Sequence, residues 1–452
     1  MTRRETPGGE AEARTGETRR NLRVVYYVGR FPSVSQTFIV NQIADMTQRG
    51  HEVAIYAFRR GDTSIPDDTI RRHGLMERTT FAPSLPASRA GRMRAAIRAL
   101  HESPLGRRIL RETISPRRFG WSEVVPFRRI VWGLDIARHM TDFQPDILHV
   151  HFGFNAMLPM CVQKAGVRPS ARMLVTLHGF DLHRYSTDDY REIFRHAQGF
   201  TVNSGYTAER AVALGCPPEK IVRLPVGLDC ARYIERGARN QARTQPVRIL
   251  YVGRLVEFKG IDIAIRSVAR LRELCEADIR FTIVGEGEMR GVAEQLVDEL
   301  GLRDSVAFRG VVSRQETIDC FADADIFLFP GVTARDGRQE NQGLVIQEAQ
   351  AMEVPVVVCD VGGVAEGVLP DETGYVLPER DIEGIAAALC RLACHPEERR
   401  RMGRRGRRFV EARYDSRVLG ARLEEIYRSL RHGDARRADE PETPSGKEAP
   451  AW

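Results

Sequence analysis

The sequence predicts an α/β chain of two βαβ domains, and three observations carry that prediction. Apolar, β-branched runs alternate with amphipathic helical patterns through both halves, and near-continuous runs of that kind signal parallel sheet covered on both faces. The same opening occurs twice: a buried strand, a loop, then an amphipathic helix. The chain is also 452 residues long and 42% hydrophobic, more than one ordinary core accommodates.

Taken in order, the first 21 residues are charged and contain Pro and Gly, and they read as a disordered tail. Leu22–Val28 (LRVVYYV) is a buried strand and FIVNQIADMTQRG the helix after it. The runs ILHVHF, RMLVTLH, GFTVNS and KIVRLPV extend a first domain, placed at 22–240. A polar stretch at 236–246, rich in Arg, Gln and Gly, reads as the linker. Val247–Val252 (VRILYV) opens the second domain, placed at 241–415. It continues through GRLVEFKG, the helix IDIAIRSVARLREL, and the runs RFTIVGEG, SVAFRG, IFLFPG and VPVVVCD. A last helix at 416–431 is expected to cross back to the first domain, and 432–452 reads as a second disordered tail. Open α/β sheets bind ligands at the carboxyl ends of their strands. Two such domains are therefore expected to face each other across a cleft.

The segment Arg89–Trp132 breaks this rhythm, with Arg recurring beside Leu, Ile and aromatic residues. It fits either an anionic membrane surface or a pair of solvated helices covering the first domain. The 68 Lys and Arg against 61 acidic residues give a net charge of +7 and a pI near 9.1. That mild excess suits phosphates or acidic lipid and does not point to nucleic acid. Eight cysteines are scattered without a C-x-x-C pair, which favours free thiols over metal or disulfide use. No apolar h-region and no run of ~18–20 apolar residues is present. The expected location is cytoplasmic, at most peripheral at the inner face of a membrane.

Two stretches carry candidate chemistry. Gly253–Gly260 (GRLVEFKG) directly follows a strand. Its glycines let the backbone approach a ligand, and Arg254 and Lys259 put two cations where a diphosphate would sit. The second stretch, R338-Q-E-N-Q-G-L-V-I-Q-E348, holds two glutamates eight positions apart. On one continuous helix they would lie about 80° apart, an unhelpful angle for a paired acid and base. A helix starting near Gly343 resolves this, with Glu340 in the loop before it and Glu348 about one turn in. The amides of Gly343, Leu344 and Val345 would then form an anion site. The two carboxylates could accept from hydroxyls on either side of a diphosphate. Lys259 is expected to reach solvent.

Three motifs read as decoys. Asp323-Ala-Asp325 spells a metal-binding D-x-D but lies where a helix runs into a strand. Gly285–Gly291 imitates a dinucleotide fingerprint but follows the second strand of its domain, and the next strand carries Arg309 where an acid is needed. His149 and His151 alternate on a strand like a zinc pair, yet no third ligand is evident, so they read as strand-end loop residues.

Together, E340-N-Q-G-L-V-I-Q-E348, G253-R-L-V-E-F-K-G260, F31-P-S-V-S-Q-T-F-I39, TLHGFDL (176–182), PVGLD (225–229) and GGVAEG (362–367) resemble the retaining glycosyltransferases of family 4. The exopolysaccharide, colanic-acid type is most similar. The resemblance spans roughly Leu22 to Leu430. It implies a GT-B fold, two Rossmann-like domains facing each other across a deep interdomain cleft, acceptor side first and nucleotide-sugar side second. It further implies that Glu348 binds the donor ribose and that Glu340 contacts hydroxyls of the transferred sugar. Arg254 and Lys259 would neutralise the diphosphate, beside Gly253. His178 would lie near the donor sugar, and Arg309–Val311 would meet the base through backbone groups. Gly29 to Thr37, including Ser35 and Gln36, would close over the donor and face the acceptor.

No cofactor and no metal are implied. The implied donor is a UDP- or GDP-linked sugar, and the implied acceptor a glycan or lipid-linked saccharide. Two departures bear on specificity: Asn341-Gln342 replaces a small residue followed by an aromatic or aliphatic one, and Gln36 replaces a frequent Glu. Two other readings stay open. One is the same hexosyl transfer to a soluble natural-product acceptor. The other is a non-catalytic, basic module binding a membrane surface.

Overall fold

The computed structural model describes residues 21–33, 36–61, 68–114, 127–184, 186–233 and 246–433. Most of both tails, most of the expected linker, Ser35, and positions 115–126 of the Arg-rich segment lie outside them. The chain divides into two compact units. One comprises the described parts of 1–202, 211–222 and 420–452, the other those of 203–210 and 223–419.

The first unit is built on a seven-stranded sheet. Its strands are β1 (Arg23–Val28), β2 (Glu52–Ala57), β3 (Thr79–Phe81), β4 (Ile147–His151), β5 (Arg172–Leu177), β6 (Gly199–Val202) and β7 (Ile221–Arg223), in the order β3-β2-β1-β4-β5-β6-β7. Strands β1, β4 and β5 carry Val, Ile, Leu and Tyr with scarcely any exposed position, as a sheet covered on both faces requires. The sequence reading omitted β2 and β3. Glu and two Ala dilute the β-branched content of EVAIYA, and β3 is a three-residue edge strand.

Helices cover this sheet. Thr37–Gln48 buries Ile39, Val40, Ile43, Ala44 and Met46. In the Arg-rich segment, Arg89–Glu102, Gly106–Thr113 and Phe127–Phe143 are helical. The first of these buries only Ala96 and leaves Met93 and Ile97 exposed. The last helix, Ser416–His432, joins this unit from Gly420 on.

Tyr427 of that helix is the centre of a fully buried polar chain. Its hydroxyl meets His149 Nδ1 at 2.5 Å and the Tyr26 hydroxyl at 2.8 Å. His149 Nε2 meets Thr176 Oγ1 at 2.7 Å, which meets Thr201 Oγ1 at 2.6 Å. Burial, with the neighbouring His178, pushes His149 down to about 3, so its ring is neutral.

The second unit holds a six-stranded parallel sheet. Its strands are β8 (Val247–Val252), β9 (Ile279–Val284), β10 (Val306–Gly310), β11 (Ile326–Phe329), β12 (Val356–Cys359) and β13 (Gly374–Leu377), ordered β10-β9-β8-β11-β12-β13. The short edge strand β13 is another that the sequence reading passed over. Each sheet reverses direction once, between β1 and β4 in the first unit and between β8 and β11 in the second. At such a reversal the loops leaving two adjacent strands diverge to opposite faces and leave a crevice. Residues 29–33 and 153–155 flank the first reversal, and 253–260 and 330–343 flank the second.

Removing the Tyr427 hydroxyl would leave His149 and Tyr26 buried with an unmet polar atom each, at about 1–3 kcal/mol. Tyr427→Phe is accordingly expected to lower the urea midpoint with little change in slope. An unchanged midpoint, followed by circular dichroism, would show that the chain of hydroxyls and imidazole contributes nothing to holding the last helix.

Candidate active site

The second reversal gathers the charged residues that the sequence singled out. After β8 the chain forms a short 3-10 turn, Glu257–Lys259, closed by Gly260, and then enters the helix Ile261–Leu274. Lys259 crosses the reversal and ion-pairs with Glu340, which follows β11. Both side chains are only 14% exposed, which corrects the expectation that Lys259 reaches freely into solvent. Its ammonium also lies 4.9 Å from the Phe329 ring and 5.5 Å from that of Phe258. A cation packed against two aromatic faces keeps its position when a ligand arrives.

Glu340 accepts N–H bonds from Asn341 at 3.0 Å and from Gln342 at 3.5 Å. Burial alone would raise its carboxyl, but the charge and hydrogen bond of Lys259, with those two amides, hold it below the usual range. Gly362 makes this turn possible: a Cβ there would lie 2.0 Å from the Glu340 carbonyl oxygen, and its φ is +57°. The Gly363 N–H then donates to that same carbonyl at 2.9 Å. The GGVAEG motif thus serves as packing space for the glutamate loop.

Gly343 adopts the left-handed conformation, φ 74°, and caps the helix Leu344–Ala351. Among the described residues no acceptor engages the Gly343, Leu344 or Val345 amides. Three N–H groups therefore open at the positive end of a helix dipole, a few residues from the Lys259–Glu340 pair. Glu348, on the second turn, accepts from the Tyr233 hydroxyl at 2.8 Å. Burial raises its carboxyl above the ordinary value, against the bond from Tyr233 and the charge of Arg314.

Arg254 is exposed, and among the described residues its guanidinium has no ion-pair partner. Its Cζ lies 5.9 Å from the Phe258 ring, the ring that also faces Lys259 and, at 5.6 Å, Arg338. Three cations therefore converge on one aromatic residue. Gly253 donates to the Val284 carbonyl at 3.0 Å, and Gly285 to that of Gly310 at 2.8 Å. These bonds set the loops after β8, β9 and β10 side by side and bring Arg309 and Val311 to the same sheet edge as Gly253. Val311 is 79% exposed there.

In the first unit, His178 ends β5. Its Nε2 lies 3.1 Å from His151 Nδ1, and its ring packs against Phe152 and Phe38 with centroids 4.4 and 5.0 Å away. Burial pushes its imidazole down to about 3, so it is neutral at pH 7. Asp181 fixes the turn by accepting from the His178 amide at 3.1 Å and the Gly153 amide at 2.8 Å. Gly29 ends β1 against Asn155, and Gln36 and Thr37 open the helix after β1, where Gln36 makes no side-chain cap bond. Ser35 lies outside the described residues.

Several partners escaped the sequence reading. Tyr233 reaches the site only through folding, and nothing local marks it; Asp181 lies within the TLHGFDL motif, but its bond from the Gly153 amide is made only by folding. Gln342 did stand out as a departure, and its role is now visible: buried, it accepts from the Val226 N–H at 2.8 Å and donates to the Val226 carbonyl at 3.1 Å. It clamps the PVGLD loop to the glutamate turn. Of the decoys, Asp323 ion-pairs with Arg248, and Asp325 accepts the Arg248 amide at 3.0 Å. Both tie a helix end to β8. His149 and His151 are fully buried within β4 rather than in a strand-end loop, and stack at 4.5 Å.

Glu340's carboxyl titrates lower in the folded chain than its ordinary value of 4.5. The ion pair therefore contributes stability that is complete above pH about 4.5 and is lost as pH falls through the lower folded value. Lys259→Met is expected to cost roughly 2–3 kcal/mol at neutral pH, less than the about 3–5 of a bare buried charge, because the Asn341 amide still serves Glu340. Urea midpoints across a pH series should show this difference constant near neutrality and shrinking below pH about 4.5. A difference that grows in acid would mean that Glu340 is not held as a carboxylate.

The second half of the chain, residues 235–409, matches the family model for glycosyl transferases group 1, and residues 35–232 match that for glycosyltransferase family 4. WcaL, a colanic acid biosynthesis glycosyltransferase of Escherichia coli K12, is 27% identical over 90% of this chain and all of its own length. A GDP-mannose-dependent phosphatidylinositol monomannoside mannosyltransferase of Mycolicibacterium smegmatis is 31% identical, over 65% of this chain and 79% of its own. Among solved structures, HepE of Anabaena in complex with UDP superposes with a TM-score of 0.68 at 16% identity, covering 90% of this chain and all of that one. A glycosyltransferase of Rickettsia africae gives 0.67 at 16% identity, covering 91% and 99%. Two parallel-sheet units of the GT-B kind, the glutamate turn at the second reversal and these matches agree: the chain belongs to the family 4 glycosyltransferases and is related to the enzymes of exopolysaccharide biosynthesis.

Proposed function

We propose that the chain transfers a hexosyl unit, with retention of anomeric configuration, from a UDP- or GDP-linked sugar to a hydroxyl of a lipid-linked saccharide in exopolysaccharide or cell-surface glycan synthesis. The observation that carries this reading is the Lys259–Glu340 pair set beside three open amides at the Gly343 turn. Cleaving the anomeric C–O bond places new negative charge on the leaving diphosphate. A fixed ammonium, the unpaired Arg254 guanidinium and the helix-end amides are already oriented to receive it, so little reorganisation accompanies the step.

Glu340 stays ionised and can accept from hydroxyls of the transferred sugar. Glu348 spends one oxygen on Tyr233, leaving the other for the ribose hydroxyls. Gly253, Arg309 and Val311, on the same sheet edge, would receive the base through their backbone. Retention follows when the acceptor attacks the face from which the diphosphate departs. No metal is required in this scheme, because fixed cations do the neutralising. In the first unit, neutral His178 would be a hydrogen-bonding partner for the sugar, and Gly29, Ser35, Gln36 and Thr37 would serve the acceptor side. Names of relatives support the donor class: one group is GDP-mannose-dependent, and structures similar in fold contain UDP or UDP-glucose.

A pocket of about 450 Å³ in the first unit supports an anionic acceptor. It lies beyond the carboxyl ends of β2 and β3 and is lined by Arg59, Arg60, Arg92 and Arg128 with Phe58 and Trp132. Beside it, the Arg89–Glu102 helix exposes Met93 and Ile97 among arginines, a composition suited to the surface of an anionic membrane. No helix among the described residues is long and apolar enough to cross one.

Following nucleoside diphosphate release over a panel of nucleotide sugars tests the donor reading. One UDP- or GDP-sugar should be turned over, EDTA should leave the rate unchanged, and Glu348→Gln should lower kcat/KM by about 10–100-fold. A strict divalent-cation requirement, or full activity in Glu348→Gln, would overturn it. Arg60→Ala should raise KM for a diphosphate-linked lipid acceptor while leaving acceptor-independent donor hydrolysis intact. Equal use of a neutral soluble acceptor by wild type and variant would favour the natural-product reading.

A further inference from the structure

In the second unit, the helices Ile261–Leu274 and Ile382–Cys394 pack against each other and end at the same place. Cys275 closes the first helix, and Cys390 and Cys394 sit one turn apart on one face of the second. The sulfurs of all three lie within 4.8 Å of one another. Cys275 and Cys394, 119 positions apart in sequence, bring theirs to 3.4 Å. Cys394 is exposed and the other two are half-buried, so the trio opens to solvent.

Packing accounts for only part of this arrangement: Cys275 and Cys390 lie against the core, but Cys394 is exposed. Free cysteines that act as small apolar residues are usually buried, as Cys161, Cys216, Cys230 and Cys359 are here. A disulfide would use two sulfurs and leave a third beside it. Three sulfurs around one point instead fit a shared soft cation: at a Zn–S distance of about 2.3 Å, tetrahedral geometry sets sulfurs roughly 3.8 Å apart. The surroundings are also directed at sulfur. The Ala277 amide donates to Cys275 Sγ at 3.4 Å, while the Cys390 thiol donates weakly to the Leu274 carbonyl at 3.8 Å, a bond given up when the thiol proton leaves. An amide aimed at a ligand sulfur is the kind of outer partner that tunes metal sites.

We propose that Cys275, Cys390 and Cys394 form a binding site for one thiophilic d10 cation such as Zn2+, with three thiolates from the chain and a fourth position open on the Cys394 side. Binding exchanges the three thiol protons, released to solvent, for the cation, leaving a net charge of −1 on the site. The cation joins the ends of the two helices. One of these begins directly after Lys259 and Gly260, so the site anchors the far end, about 20 Å along, of the element that carries the lysine turn. No step of sugar transfer passes through it.

The test uses the full chain, reduced with a phosphine that does not compete for metal and titrated with Co2+ alone. One equivalent should produce thiolate-to-cobalt charge-transfer absorption, and Zn2+ should abolish it by displacement. Loss of an outer partner weakens such sites by about 10–100-fold, so Cys394→Ser and Cys275→Ser should each weaken binding at least that much. Cys320→Ser, outside the trio, should leave it unchanged. Zn2+ should raise the Tm of wild type but not of Cys394→Ser. No cobalt–thiolate absorption in the reduced protein would overturn the proposal, as would Co2+ binding to Cys394→Ser with wild-type affinity. So would an intact mass two hydrogens short before reduction, with no metal bound after it.

Discussion

One ion pair organises the second unit. Lys259 and Glu340 leave different strands on either side of the reversal in strand order, and their bond fixes the two loops relative to each other. At this burial an unpartnered charge on either residue would be costly. Each is tolerable because the other is present, and because Phe258, Phe329 and the Asn341 amide take up what remains. Fixing Glu340 fixes the start of the Leu344 helix four residues later. That, in turn, decides which amides remain open and where Glu348 points.

The two units solve the problem of buried polarity in opposite ways. Around β4 and β5 in the first unit, imidazoles and hydroxyls are stacked and hydrogen-bonded in a region where burial keeps the histidines neutral. Such a region can orient a substrate by hydrogen bonds without competing for a charged group. Around the reversal of the second unit the polarity is ionic, with Lys259 and Arg338 matched to carboxylates and Arg254, among the described residues, without an ion-pair partner. An incoming anion finds full charges and dipoles already in place there. This division is the physical ground on which the proposed donor and acceptor sides rest.

Much of this was legible in the residues. The near-continuous β-branched runs marked most strands of both sheets, and the glycine within the glutamate motif marked where its helix begins. Other parts were not. EVAIYA and GYVL belong to the sheets through their neighbours rather than their composition, so local pattern passed them over. Lys259 read as a free surface cation because sequence carries no information about what faces a side chain 81 positions away. Gln342 could be seen as unusual, but its reason lay in the backbone of Val226. The convergence of Cys275 with Cys390 and Cys394 left no trace in spacing beyond the one-turn interval between the last two.

By itself the sequence determined the class of fold, the two launches of a βαβ domain and the chemical types that could meet a diphosphate sugar. These rest on period, propensity and motif order, all properties of nearby residues. Only the tertiary structure decided which charges neutralise one another, that Glu348 shares its carboxylate with Tyr233, and that the chain's last helix buries Tyr427 against His149. Those pairings depend on strand order and on which loops a sheet reversal sets side by side, and strand order is a long-range property that no local stretch encodes.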